Sequence, residues 1–167
     1  SYSNVFHANG GNVAFSVMAN TLRGVYGTDV LLATANSFTG SVLKADYTPK
    51  MADSMIMPNG LMSRQRTMTG AELKETVRAY VEGCEGGFVP FNRGSLPIVS
   101  GIAVEVKEAS GSYTLTGITR NGQPLRDDDT VTVTCLAAEK QMDVLLASES
   151  GTSAGEDTWV KNTWRDY

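Results

Sequence analysis

The 167-residue chain contains one histidine, His7, and that scarcity excludes more chemistry than any other feature of the sequence. Hydrolytic zinc, manganese and di-iron sites draw on two or more imidazoles with carboxylates at fixed spacing. No His-x-His or His-Glu-x-x-His pattern exists here. A Ser-His-Asp mechanism would have to use His7, close to the amino end, and no Gly-x-Ser-x-Gly elbow is present to carry the nucleophile. A Walker loop and a dinucleotide glycine fingerprint are also missing. No catalytic residue and no metal ligand are therefore assigned to this stretch.

Other absences narrow the class further. Fourteen basic and 18 acidic residues, spread along the chain for a net charge of −4, form no basic stripe, so nucleic acid is not expected as a partner. No apolar run approaches the roughly 20 residues that a membrane-spanning helix needs. Two cysteines, Cys84 and Cys135, are too few for a disulfide framework; they can pair, or stay as buried thiols, the commoner state. The chain opens on Ser1-Tyr2-Ser3 with neither an initiator Met nor a visible signal peptide, so a piece of a longer protein is expected. What is present, 41% hydrophobic and 19% charged residues, suits one globular domain over 1–167.

Periodicity organises that domain. Residues 9–27 read as a helix, with Asn9 as N-cap, Gly27 as C-cap and a stripe of Val13, Val17, Met18, Leu22, Val25 and Tyr26. A strand over 29–35 follows, then strands over 53–57 and 61–67 around a Pro58-Asn59-Gly60 turn. Arg64 and Arg66 fall on one strand face, either a solvated face or an anion clamp. Thr69 and Glu72 form a capping box for a helix over 69–83 that buries Leu73, Val77, Tyr80, Val81 and Cys84. The loop 86–97 gathers Phe88, Phe91 and Arg93, an anchor for a long loop or a stacking site. Strands over 98–108 and 112–125 suggest a hairpin about Ala109-Ser110-Gly111, and 130–137 is a β-branched strand beyond the solvated Asp127-Asp128-Asp129. A short helix over 138–147 with Met142, Leu145 and Leu146, a Gly/Ser-rich loop over 148–155, and a last helix carrying Trp159, Val160, Trp164 and Tyr167 complete the pattern. Such an order predicts an α+β fold, mixed β-sheets flanked by helices on the outer faces, rather than a doubly wound parallel sheet.

The stretch "LLATANSFTG" (31–40) is the candidate site. Its apolar start turns into Thr34, Asn36, Ser37 and Thr39, and polar groups at a strand's carboxyl end either line a ligand site or simply close a turn. Asn9 and Asn12, at the start of the first helix, are caps or ligand contacts in the same way.

Three segments in this order, "GGNVAFSVMANTLRGVYGTDVLLATANSFTGSV", "LMSRQRTMTGAELKETVRAYVEG" and "LPIVSGIAVEVKE…ITRNGQPLRDDDTVTVTCLA", resemble the C-terminal domain of the 5′-nucleotidase / 2′,3′-cyclic-nucleotide phosphodiesterase family, over residues 9–138. The resemblance implies a four-layer α/β/β/α domain that grips a nucleotide or nucleoside for an upstream metallophosphoesterase domain of the same chain. Divalent metals would belong to that upstream domain, with no cofactor in this one, and the protein would be exported. The implied substrate contacts are Asn9, Asn12, Thr34, Asn36 and Thr39. Gly11-Asn12 keeps the family's Gly-Asn, but Phe6 stands where an Arg contacts phosphate, Thr34 stands at the family's Asn and Thr39 at its second Arg. Pro58-Asn59 replaces a Pro-Phe, and 135–144 lacks the family's second stacking aromatic. A guanidinium for phosphate and aromatic faces for the base are the groups nucleotide binding uses. The alternative expectation is a non-catalytic binding or interaction module that kept the fold and lost nucleotide recognition.

Overall fold

The protein is seen as a computed structural model that describes residues 13–34, 37, 61–83, 97–110, 112–138, 142, 146, 152–153 and 158–159. The first helix, α1, spans Val13–Tyr26 and ends where Gly27 takes φ 66°, its amide donating to the Arg23 carbonyl at 2.9 Å. Strand β1 (Val30–Ala33) follows at once, and β2 (Leu61–Thr69) runs directly into α2 (Gly70–Gly83). The capping box forms as the sequence predicts: Glu72 accepts from the Thr69 amide at 2.7 Å, and the Glu72 amide donates back to Thr69 Oγ1 at 3.2 Å. The strands β3 (Ile98–Ser100), β4 (Ala103–Ala109), β5 (Ser112–Arg120), β6 (Gln123–Pro124), β7 (Thr130–Ala138), β8 (Thr152–Ser153) and β9 (Thr158–Trp159) complete the described elements.

These strands make two sheets, and the fold is α+β. A six-stranded mixed sheet has the order β3-β1-β7-β2-β8, with β9 also paired to β2. Within it β1 and β7 run parallel, whereas β2 pairs antiparallel with β7 over the whole stretch from Leu61↔Ala138 to Thr69↔Thr130. The second sheet is the antiparallel meander β4-β5-β6. Its turns carry φ 53° at Ser110 and φ 51° and 76° at Asn121-Gly122, the left-handed geometry of tight hairpins.

Alternation of side chains divides the core in two. Leu31, Ala33, Leu61, Ile98 and Leu136 meet Met18, Ala19 and Leu22 of α1 on one face of the large sheet. On the other face Val30, Leu32, Met68, Val131, Val133, Cys135 and Ala137 join Leu73, Val77, Tyr80 and Val81 of α2, together with Ile118 and Leu125 beside the small sheet. No helix among the described residues is long and apolar enough to cross a membrane.

Several sequence expectations change here. The strand expected over 98–108 is two strands in different sheets, because the chain turns a corner at Gly101 with φ 84°. Val17, expected in the buried stripe, is 58% exposed, since α1 rests its Met18-Ala19-Leu22 side on β1 and β3. Trp159, expected in a terminal helix, lies in β9 opposite Met62, and Thr152–Ser153, expected in a loop, pair with β2 opposite Thr67 and Arg66. Both short strands satisfy backbone groups that the edge of β2 would otherwise leave open. Of the short helix expected over 138–147, β7 takes the start as far as Ala138, and one helical bond from the Leu146 amide to the Met142 carbonyl (2.9 Å) is described. Arg64 and Arg66 are half-buried and by alternation share the β2 face of Met62 and Met68, so they are not a freely solvated face. The expected strand 53–57, the loop aromatics Phe88 and Phe91 with Arg93, and Cys84, Leu145, Val160, Trp164 and Tyr167 lie outside the described residues.

Two glycines provide opposite tests of this geometry. A Cβ on Gly101 would sit 2.0 Å from the Asp29 carbonyl oxygen, whereas one on Gly24 meets nothing within 4 Å. Gly101→Ala is expected to lose roughly 2 kcal/mol or more through strain and displaced backbone. Gly24→Ala, exposed in the last turn of α1, is expected to gain up to roughly 0.5 kcal/mol. Urea unfolding of the two variants measures both signs.

Candidate functional site

β1 and β7 are parallel, so their carboxyl ends reach the same rim of the large sheet. There the Thr34 amide donates to the Leu136 carbonyl at 3.1 Å, extending the ladder by one rung. The chain then bends, and the Ser37 amide donates to the Thr34 carbonyl at 2.9 Å. Ser37 Oγ donates to the same Leu136 carbonyl at 3.0 Å and lies 3.0 Å from Thr34 Oγ1. A hydroxyl has a single proton, so with that of Ser37 on Leu136, Thr34 is the donor between the two side chains. Both residues are buried. The two described polar groups of "LLATANSFTG" therefore hold the strand-end turn together. Asn9, Asn12, Asn36 and Thr39, the other expected contacts, lie outside the described residues.

A second polar cluster, at the amino end of β1, was not anticipated as such from the sequence. Asp29 Oδ2 accepts from the Thr132 amide at 2.9 Å and from Thr132 Oγ1 at 3.0 Å, while the Asp29 amide donates to Thr132 Oγ1 at 2.9 Å. Arg120, at the end of β5, donates to Asp29 Oδ1 at 2.5 Å. From α1, Arg23 Nε donates to Ser100 Oγ at 2.8 Å, and its Nη1 reaches the carbonyls of Thr28 and Asp29 at 3.5 Å. Ser100 Oγ in turn donates to Asn20 Oδ1. Burial pushes the Asp29 carboxyl up, but the Thr132 amide and hydroxyl and the charges of Arg120 and Arg23 outweigh it and hold the carboxyl below its ordinary value of 3.8. The only sequence sign of this cluster was an acidic residue placed directly before a fully apolar run.

The chemistry open to these groups is limited. With both oxygens of Asp29 engaged by donors and its carboxyl held below the ordinary value, it is a weak proton acceptor and is not arranged to act as a general base. Among the described residues, no group of three or more His, Cys, Asp or Glu is placed to hold a metal ion. Cys135 is fully buried, and that burial pushes its thiol up to about 12, even with the charges of Arg66 and Arg64 pulling the other way.

Two outcomes follow from this geometry. In a Cys84→Ser background, Cys135 should resist a thiol reagent at pH 8 in the folded protein and react at once in denaturant. Ser37→Ala should cost roughly 1 kcal/mol by removing the hydroxyl that bridges Thr34 Oγ1 and the Leu136 carbonyl, with a double-mutant cycle against Thr34→Ala showing coupling.

Comparison with models of known families, and with curated proteins, gives no match. Solved structures do match. The NAD nucleotidase NadN of Haemophilus influenzae is 20% identical with a TM-score of 0.58, over 75% of this chain and 23% of that one. A putative 5′-nucleotidase from Staphylococcus aureus is 14% identical with a TM-score of 0.64, over 92% of this chain and 32% of the other. The sulfate thiohydrolase SoxB of Thermus thermophilus, 11% identical, also has a TM-score of 0.64, over 92% of this chain and 28% of its own. The chain thus spans about a quarter to a third of the structures it is similar to, and it shares the fold of that part of 5′-nucleotidase-type structures.

Proposed function

We propose that this chain is the substrate-recognition, C-terminal domain of an exported 5′-nucleotidase-like metallophosphoesterase that hydrolyses nucleotide phosphate esters. Catalysis and the divalent metals would reside in an upstream domain of the same protein. The observation that carries this reading is the fold shared with a putative 5′-nucleotidase over 92% of this chain but only 32% of that one. Asn36 would be the foremost contact to a nucleotide or nucleoside, with Asn9, Asn12, Thr34 and Thr39 beside it. Among the described residues, the support for this site is a strand-end turn held by hydrogen-bonded Thr34 and Ser37 hydroxyls.

A second reading is a non-catalytic binding or interaction module. It is favoured by the inward commitment of Thr34, the residue aligned with a substrate-contacting Asn in the resembling family. The similarity to a sulfate thiohydrolase adds that this fold is also found in a protein of a different name and chemistry.

Calorimetry with AMP, adenosine and UDP-glucose separates the readings. The first expects saturable binding of at least one, weakened roughly tenfold by Asn36→Ala; binding of none favours the second. On the first reading the purified chain shows no phosphatase turnover with added Mg²⁺, Mn²⁺ or Zn²⁺. Metal-dependent turnover by the chain alone overturns it.

A further inference from the structure

The Asp29 cluster joins four parts of the fold at one residue: its carboxylate bonds β7 through Thr132 and the end of β5 through Arg120, while its backbone carbonyl meets α1 through Arg23 and the β3–β4 corner through Gly101. We propose that the Asp29 carboxylate is an acid-sensitive clasp, which holds the junction between the two sheets closed when ionised and lets that junction open locally when protonated. The apolar cores keep the rest of the fold in place. Ile118 and Leu125 of the small-sheet side stay in the core with α2, so loss of the clasp loosens a rim and does not release the sheet.

Geometry gives the carboxylate this role. An ionised carboxyl accepts from three donors here, two on Thr132 and one on Arg120. A protonated one must donate from one oxygen: Oδ1 faces the donor Arg120, and Oδ2 faces the Thr132 amide and a Thr132 hydroxyl that can accept only by giving up its own donation to the carboxyl. The charged groups facing Asp29 among the described residues are Arg120 from β5 and Arg23 from α1; Thr132 of β7 and Gly101 at the corner bring none. A carboxyl lowered in the folded state contributes stability that is present above its ordinary value of 3.8 and is lost as pH falls through the lower folded value. The Asp29 side chain is 36% exposed, so solvent screens the Coulombic part and the hydrogen bonds carry most of the effect.

Amide exchange read by mass spectrometry on the full-length protein, corrected for intrinsic rates between pH 7 and 2, tests the clasp. At pH 7, Asp29→Asn should lower protection roughly tenfold in peptides covering 26–31, 119–123 and 129–134, with 73–81 of α2 unchanged. The wild type should lose the same protection as the pH falls, and the variant should show no acid step there. Arg120→Gln serves if Asp29→Asn does not fold: the wild-type acid step should persist but move to higher pH, because a charge that lowers the Asp29 carboxyl is gone. The Lys74–Asp127 pair at the start of α2 responds to acid independently, and its region should behave alike in all three proteins. Wild-type protection in Asp29→Asn, a loss spread evenly over 73–81, an acid step that survives the Asn substitution, or an unmoved step in Arg120→Gln overturns the proposal.

Discussion

The position of β7 between β1 and β2 is the constraint on which the rest of the structure depends. Its odd-numbered residues Val131, Val133, Cys135 and Ala137 enter the core shared with α2, and Leu136 enters the core under α1. A strand with both faces covered must be apolar or internally satisfied at every position. Thr132 and Thr134, on the Leu136 face, meet this requirement through side-chain bonds to Asp29 and Thr28, the latter at 2.8 Å. Those bonds also pin the register of β1. A slip by one residue would leave both hydroxyls and the Asp29 carboxylate without partners, as well as turning Val30 and Leu32 to the wrong core.

The two ends of β1 then differ in chemistry. The amino end is ionic and draws in β7, β5, α1 and the β3–β4 corner; the carboxyl end is a neutral turn in which Thr34, Ser37 and the Leu136 carbonyl bond one another. Polar residues flank the same four-residue apolar strand at both ends, yet each set serves the frame first. On the reading proposed above, recognition chemistry on this rim would draw on Asn36, within the turn in sequence, and Thr39 beyond it, together with Thr34, Asn9 and Asn12.

Local signals in the sequence held where the interaction is itself local. The Thr69–Glu72 box, the Gly27 cap, the Asn121-Gly122 turn and the β-branched run at 130–137 each depend on neighbours within a few residues, and each is found as expected. Errors fell where a distant partner decides. Period-two alternation predicts one strand over 98–108, but Gly101 lies against the Asp29 carbonyl, 72 positions away in the chain, and turns the strand into the other sheet. Trp159 has a helical pattern around it, yet the open edge of β2 claims it as a strand. In the candidate site, the location of the polar strand end was legible. Whether Thr34 and Ser37 face outward or inward was not, because both directions use the same residue types.

By itself, the sequence determined the α+β class, both long helices, the polar strand end after β1 and the absence of triad or metal-binding motifs from the sequence, since composition and short-range spacing are enough for these. Only the tertiary structure decided which strands pair, which face of α1 is buried, that Thr34 and Ser37 are consumed by their own turn, and that Asp29 is a junction. The physical reason is that a hydrogen bond between Asp29 and Thr132, or a close approach of Gly101, joins residues remote in sequence. Such contacts leave no periodic trace in the chain and appear only when the apolar cores bring their elements together.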